Sequence, residues 1–185
     1  MSAITHLSCR CGSVRLEATG VPILTAECCC NSCREAAAYF RTLPGAPDVV
    51  TPHGSVAYVL QRKDRLRIVA GVELLREHRL APDSPTRRVI AGCCNTPMFL
   101  EFKGGHWLSL YAVLWPEIER PAVEMRTMAS DLLDPEILPD DVPNMRTQGG
   151  SFMFKLLWAW IAMGFRVPKL PPIAPLKFKT AEEEV

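Results

Sequence analysis

The nine residues ECCCNSCRE, 27 to 35, set four cysteines into six positions. Thiols at that density restrict the folds open to the chain, because they must meet one another in space and be kept from oxidising. The other four cysteines are grouped as well, Cys9 and Cys11 in CRCG and Cys93 and Cys94 in GCCNTP. Thiols that merely fill core space would be scattered instead. Disulfides fit poorly, since cysteines adjacent or two apart in sequence close strained, very small rings. A borderline-soft cation such as Zn²⁺ fits well, because it prefers thiolate sulfur and takes four ligands tetrahedrally.

Two kinds of site follow from the spacing. Cys9 and Cys11 flank a single residue, and Gly12 allows a tight turn that aims both at one ion. A second pair has to come from elsewhere, and GCC at 92 to 94 is the remaining cluster of comparable size. Cys28-x-Cys30-x-x-Cys33 differs in kind. It gathers three thiols from one short loop with no fourth ligand obliged to join, the pattern of a site with an exchangeable coordination position. Cys29 diverges from that set where the loop is extended and reads as a small hydrophobe. His6, His53, His78 and His106 show no ligand-pair spacing and read as surface or hydrogen-bonded imidazoles.

The N-terminus has no cationic stretch followed by an apolar one, so no export signal is expected, and the chain is placed in the cytoplasm, where thiols stay reduced. A chain of 185 residues buries about 70% of its unfolded surface and needs no covalent staple. With 21 Lys and Arg against 20 Asp and Glu, a broad electrostatic grip on nucleic acid is not expected. The basic run QRKDRLR, 61 to 67, is interrupted by Asp64 and has no aromatic stacking partners.

Nine of the sixteen prolines and eight of the eleven glycines fall in the first 130 residues and cut them into short pieces. SVRLEA (13 to 18) alternates apolar and polar residues with the period of two that a half-buried strand requires. Further strands are expected at 55–61, 65–71, 74–80, 86–92, 98–102, 107–115 and 122–128, an antiparallel meander punctuated by Gly and Pro turns. CREAAAYF (33 to 40) predicts one short helical turn. The segments expected are a β domain over 1–130, an irregular Asp- and Pro-rich connection over 131–150, an apolar helix over 151–166 with Ser151 as its cap, and a Pro-rich charged tail over 167–185. The helix is shorter than the ~20 residues that span a bilayer, so no transmembrane segment is expected. Its all-round apolar surface predicts burial against the β domain or a second subunit.

The three motifs in order, C-x-C-G, then C-x-C-x-x-C-R, then a late C-x-T-P after a run of strands, resemble the glutathione-dependent formaldehyde-activating enzyme family, whose relatives include centromere protein V. The resemblance runs over roughly residues 7 to 130. It implies a mainly β fold, a zinc-stapled β-tent of small antiparallel sheets, here with a C-terminal helix added. It also implies a structural zinc that includes Cys9, Cys11 and Cys94, and a second zinc on Cys28, Cys30 and Cys33 followed by Arg34. The activity implied is that of a carbon-sulfur lyase joining formaldehyde, or another aldehyde, to the thiol of glutathione or a related small thiol.

The chain departs from the family pattern in its last motif. The family has a further cysteine where this chain has Ala91, and a glycine where it has Asn95. Either Cys93 supplies the fourth ligand from a neighbouring position or that site is incomplete. Cys29 stands where many family members have histidine. An alternative from another class is a non-catalytic zinc-stapled scaffold for protein interaction or self-association, to which the long C-terminal extension points.

Overall fold

The computed structural model describes residues 3–176, so the last nine residues of the expected tail, 177–185, lie outside the described residues. The fold is mainly β, as expected, and is built on two sheets. The smaller has strands β1 (Ile4–Ser8), β2 (Arg15–Thr19) and β5 (Leu66–Ala70) in the order β1-β2-β5, all antiparallel. The larger contains β3 (Leu24–Cys28), β4 (Val56–Arg62), β6 (Leu75–His78), β7 (Thr86–Ala91), β8 (Thr96–Phe102), β9 (Trp107–Tyr111), β10 (Met125–Thr127) and β11 (Ala174–Pro175). Its order is β10-β3-β4-β9-β8-β7-β6-β11, with the inner pairings antiparallel and the two outermost strands, β10 and β11, added in parallel.

The larger sheet is buried on both faces. Along β4, Val59 joins Leu7, Leu16, Phe99 and Leu110 in a core against the smaller sheet, while its neighbours Tyr58 and Leu60 point the other way. There they pack with Ala36, Ala37 and Phe40 of α1 (Asn31–Arg41) and with Phe152 and Leu156 of α2 (Gly149–Ala162). Period-two alternation therefore sends successive residues of one strand into two separate cores, one per face.

Both helices differ from expectation. The segment after the cysteine cluster forms eleven residues of helix rather than one turn, because Cys33, Ala36, Ala37 and Phe40 recur at helical spacing and are buried together. The C-terminal helix runs over Gly149–Ala162 rather than 151–166, and Ser151 lies inside its first turn. It stops early at Gly164, whose φ of 61° is left-handed. Phe165 N–H then bonds to Trp160 O and Gly164 N–H to Ile161 O, a glycine-terminated helix end that closes the chain before Pro168 is reached. No helix among the described residues is long and apolar enough to cross a membrane.

The connection after β10 is irregular but anchored. Arg126 is buried and pairs with the buried Glu27 at 2.8 Å, Asp141 at 2.7 Å and the carbonyl of Pro139 at 3.0 Å, drawing residues 139 to 144 onto the sheet edge. The basic run is also internally paired: Arg62 meets Asp64 at 2.6 Å, and the buried Lys63 meets Glu101.

Gly71, between β5 and β6, has a φ of 72°, and a Cβ built there would lie 2.4 Å from the carbonyl oxygen of Ser13. Gly71→Ala is expected to destabilise the fold by on the order of 2 kcal/mol. Because Ser13 belongs to the turn that carries Cys9 and Cys11, the variant should also retain less metal. Urea denaturation with metal analysis of the same samples checks both.

Candidate metal centre

The β1–β2 turn presents Cys9 and Cys11. Gly12, at φ 77°, closes that turn through its N–H to Cys9 O at 2.9 Å. Ala91 pairs with Thr96 across β7 and β8, so the four residues 92 to 95 form the loop between those strands and lift Cys93 and Cys94 off the sheet. Asn95 takes a φ of 55° in that loop, a left-handed conformation that asparagine tolerates.

The two turns meet. The sulfurs of Cys9, Cys11, Cys93 and Cys94 all lie within 4.8 Å of one another. Individual separations are 3.5 Å for Cys9 to Cys11, 3.8 Å for Cys9 to Cys93, 3.3 Å for Cys11 to Cys93 and 3.9 Å for Cys93 to Cys94. A tetrahedral ion with metal–sulfur bonds of ~2.3 Å separates its sulfurs by about 3.8 Å, so the donor set and its spacing fit one such ion. Cys93 stands in the cluster, whereas Ala91 is a fully buried strand residue outside it.

Backbone and hydroxyl groups surround these sulfurs. Val14 N–H donates to Cys9 Sγ at 3.3 Å, the Ser13 hydroxyl lies 3.4 Å from Cys11 Sγ, and the Thr96 hydroxyl lies 3.1 Å from Cys94 Sγ. The contact with Ser13 holds the Cys11 thiol down at about 6, and burial pushes Cys9 up. For Cys94 burial acts upward, but the Thr96 hydroxyl and nearby backbone N–H groups outweigh it and the thiol is lowered.

The second cluster is Cys28, Cys30 and Cys33, with sulfurs again within 4.8 Å of one another. Cys28 ends β3, Cys30 occupies the N-cap position of α1, and Cys33 lies in its first turn, where the exposed N–H groups and the helix dipole favour negative charge. Among the described residues, no histidine, cysteine or carboxylate joins as a fourth ligand. The Cys28 and Cys33 thiols beside Cys30 hold it down at about 2, and the same closeness pushes Cys28 far up. Cys28 acts to lower Cys33, yet Cys30 and burial prevail and Cys33 is raised. One thiolate stabilised by two thiols is the metal-free form of a three-sulfur ligand set.

Several residues that hold this cluster escaped sequence reasoning. Tyr58, buried on β4, donates its hydroxyl to Cys33 Sγ at 3.5 Å. Asp131 accepts from Asn31 N–H at 3.1 Å, capping α1 from a hundred residues away. The buried Arg88 of β7 donates to Ser32 O at 2.9 Å and ties the loop to the sheet. Strand alternation could have placed Tyr58 on a buried face, but nothing in the sequence pairs it with a particular thiol.

Cys29 turns away into a separate contact with Ala129 and Leu138, and burial together with the nearby Glu27 raises its thiol to about 11. Arg34 does not pair with Glu35 but donates to the Asp131 carbonyl at 3.4 Å. None of the four histidines enters either cluster; His106 Nε2 lies 2.9 Å from Leu156 O, and His78 stacks on Tyr39 at 4.3 Å.

Residues 4–48 match the family model of the glutathione-dependent formaldehyde-activating enzyme (GFA). A solved structure of a Rhodobacter sphaeroides protein is similar at 15% identity and a TM-score of 0.45, covering 76% of this chain and 99% of that one. No curated protein matches the chain.

Reduced protein is expected to lose one metal equivalent on Cys93→Ser and none on Cys29→Ala. Native mass spectrometry with elemental analysis counts the ions. Full metal retention by Cys93→Ser would mean that the four-sulfur cluster closes without Cys93.

Proposed function

The chain is GFA-like over residues 4–48, and on that premise we propose that it binds two zinc ions, one structural and one that acts on a small thiol. Cys9, Cys11, Cys93 and Cys94 hold the first. Cys28, Cys30 and Cys33 hold the second and are the catalytic ligands. The observation that carries this reading is the contrast between the clusters, four thiols in one and three in the other, since an open coordination position separates catalytic from structural zinc. When bound, zinc supplies the charge that keeps a substrate thiol as its thiolate near neutral pH.

The chain's own residues prepare that site. The first turn of α1 concentrates N–H groups beside the sulfurs, and Tyr58 draws charge from Cys33 by donating a hydrogen bond. In the reaction the thiolate sulfur bonds to an aldehyde carbon, the carbonyl π pair moves to oxygen, and that oxygen takes a proton from water. The reverse is the carbon-sulfur lyase direction. Ligand sets of this kind need reduced cysteines, which suits a cytoplasmic location.

Cys30→Ser should abolish hemithioacetal exchange and remove one zinc while leaving the fold largely intact. Cys11→Ser should weaken folding itself, because structural zinc contributes directly to folding free energy. Exchange measured by nuclear magnetic resonance on zinc-replete protein, with glutathione and other small thiols plus formaldehyde, reads the first effect; thermal unfolding reads the second. No acceleration over background with any thiol would leave the scaffold reading in place.

One observation favours self-association alongside this activity. α2 buries Phe152, Leu156 and Ala159 but leaves Phe154 66% and Trp158 65% exposed, with Met153, Leu157 and Ile161 beside them. An apolar patch of that kind marks an interaction surface. Membrane-surface helices carry several cations on the polar face, whereas the only cation of α2, Lys155, is ion-paired with Glu124. A second copy of the chain is therefore the proposed occupant. The double substitution Phe154→Lys and Trp158→Lys should convert a dimer to a monomer in sedimentation analysis with zinc content unchanged; a wild-type chain that stays monomeric at tens of micromolar would remove this part of the reading.

A further inference from the structure

On the helix side of the large sheet lies a cavity of about 60 Å³ with Cys28 and Cys33 in its wall. Leu60, Leu100, Phe102 and Phe152 make most of the remaining surface, and apart from the two cysteine sulfurs none of the lining side chains is ionisable at neutral pH. Its polar atoms come from neutral groups such as Ser109 and Gln148. Gln148 is exposed, so it marks the side on which the cavity reaches solvent.

A wall of this composition selects by charge. A carboxylate or ammonium entering it loses its water and gains no ionic partner. Each methylene buried in it contributes ~0.8 kcal/mol, about a fourfold gain in affinity. The volume selects by length. A dry cavity of roughly 150 Å³ lined by leucine, isoleucine and phenylalanine holds benzene, so a space well under half that size suits a group of about two or three carbons.

We infer that the three-cysteine site takes a thiol whose substituent is a short, uncharged alkyl group, seated between Leu60, Leu100 and Phe152. Glutathione, with its carboxylates and ammonium group, is excluded from the cavity. A thiol sulfur that joins Cys28, Cys30 and Cys33 stands at the sulfur-bearing wall, which puts the cavity beside its own carbon chain. The inference rests on the proposed fourth coordination position and narrows which thiol fills it. It also assigns a role to α2, whose Phe152 closes the cavity from the C-terminal side.

The test is a calorimetric titration of metal-replete protein with 1-propanethiol, 3-mercaptopropionate, glutathione and the thiol-free 1-propanol. The visible spectrum of the cobalt-substituted protein reports independently whether a new sulfur joins the metal. The expected result is that 1-propanethiol binds at least tenfold more tightly than either charged thiol and intensifies the cobalt bands. Leu100→Phe, which fills the cavity, should weaken 1-propanethiol at least tenfold with metal content and circular dichroism unchanged. Phe152→Ala, which enlarges it, should shift preference toward 1-hexanethiol. Glutathione binding as tightly as 1-propanethiol while the cobalt bands respond would overturn the inference and leave the metal–thiol reading standing, as would both variants leaving the chain-length preference unchanged. Equal binding of 1-propanol and 1-propanethiol with a silent cobalt spectrum would overturn the thiol assignment together with the metal–thiol reading.

Discussion

Sulfur atoms held within 4.8 Å of one another cannot all be thiolates unless a cation lies among them. In the chain alone the proton affinities split apart: Cys30 is held down at about 2 while Cys28 is pushed far up, because the negative charge on one sulfur is stabilised by the thiols beside it and opposes ionisation of its neighbours. A divalent ion removes that conflict and converts mutual repulsion into a shared bond. The turns and strand ends that carry these sulfurs are spaced as such an ion requires.

The fold accomplishes this with long-range pairing rather than local sequence. Cys9 and Cys11 come from a turn of the small sheet, and Cys93 and Cys94 from a loop of the large one, so an ion held by that cluster would fasten the two sheets together. The other cluster depends on the same kind of reach. Asp131 caps α1 from across the chain, and the Arg126 network separately anchors residues 139 to 144 of the segment after β10. The buried Glu27–Arg126 pair joins the parallel strands β3 and β10 at the end where Cys28 begins the cluster.

Much of this was legible. Eight strands, β2 and β4 to β10, overlap segments whose alternation or Gly and Pro boundaries announce them, and spacing sets Cys28, Cys30 and Cys33 apart from the pairs at 9/11 and 93/94 while leaving the role of Cys93 open. What stayed hidden has physical reasons. In β3, Leu24, Thr25, Ala26 and Glu27 are all buried, so there is no polar face to produce alternation, and Glu27 reads as exposed until Arg126 is seen opposite it. The early stop of α2 was written in Gly164, but an apolar run up to Phe165 masks it. The place of Cys93 needed the strand register: with Ala91 paired to Thr96, position 91 belongs to the core and only the loop beyond it can deliver sulfur.

The two clusters lie toward different faces of the large sheet, and that division has a functional sense. Cys9 and Cys94 pack with the core between the sheets, where both layers are extended strands with little freedom to separate. Cys28, Cys30 and Cys33 pack with the core beneath the helices, where one wall is Phe152 of α2, a segment joined to the β domain through an irregular connection. Closing a site with four protein ligands is compatible with rigid walls on every side. A site that must admit and release a small molecule needs one wall of lower local stability, and such walls are drawn from elements with fewer buried neighbours. α2, buried on one side and exposed on the other, is such an element, and its Phe152 lines the cavity beside Cys28 and Cys33.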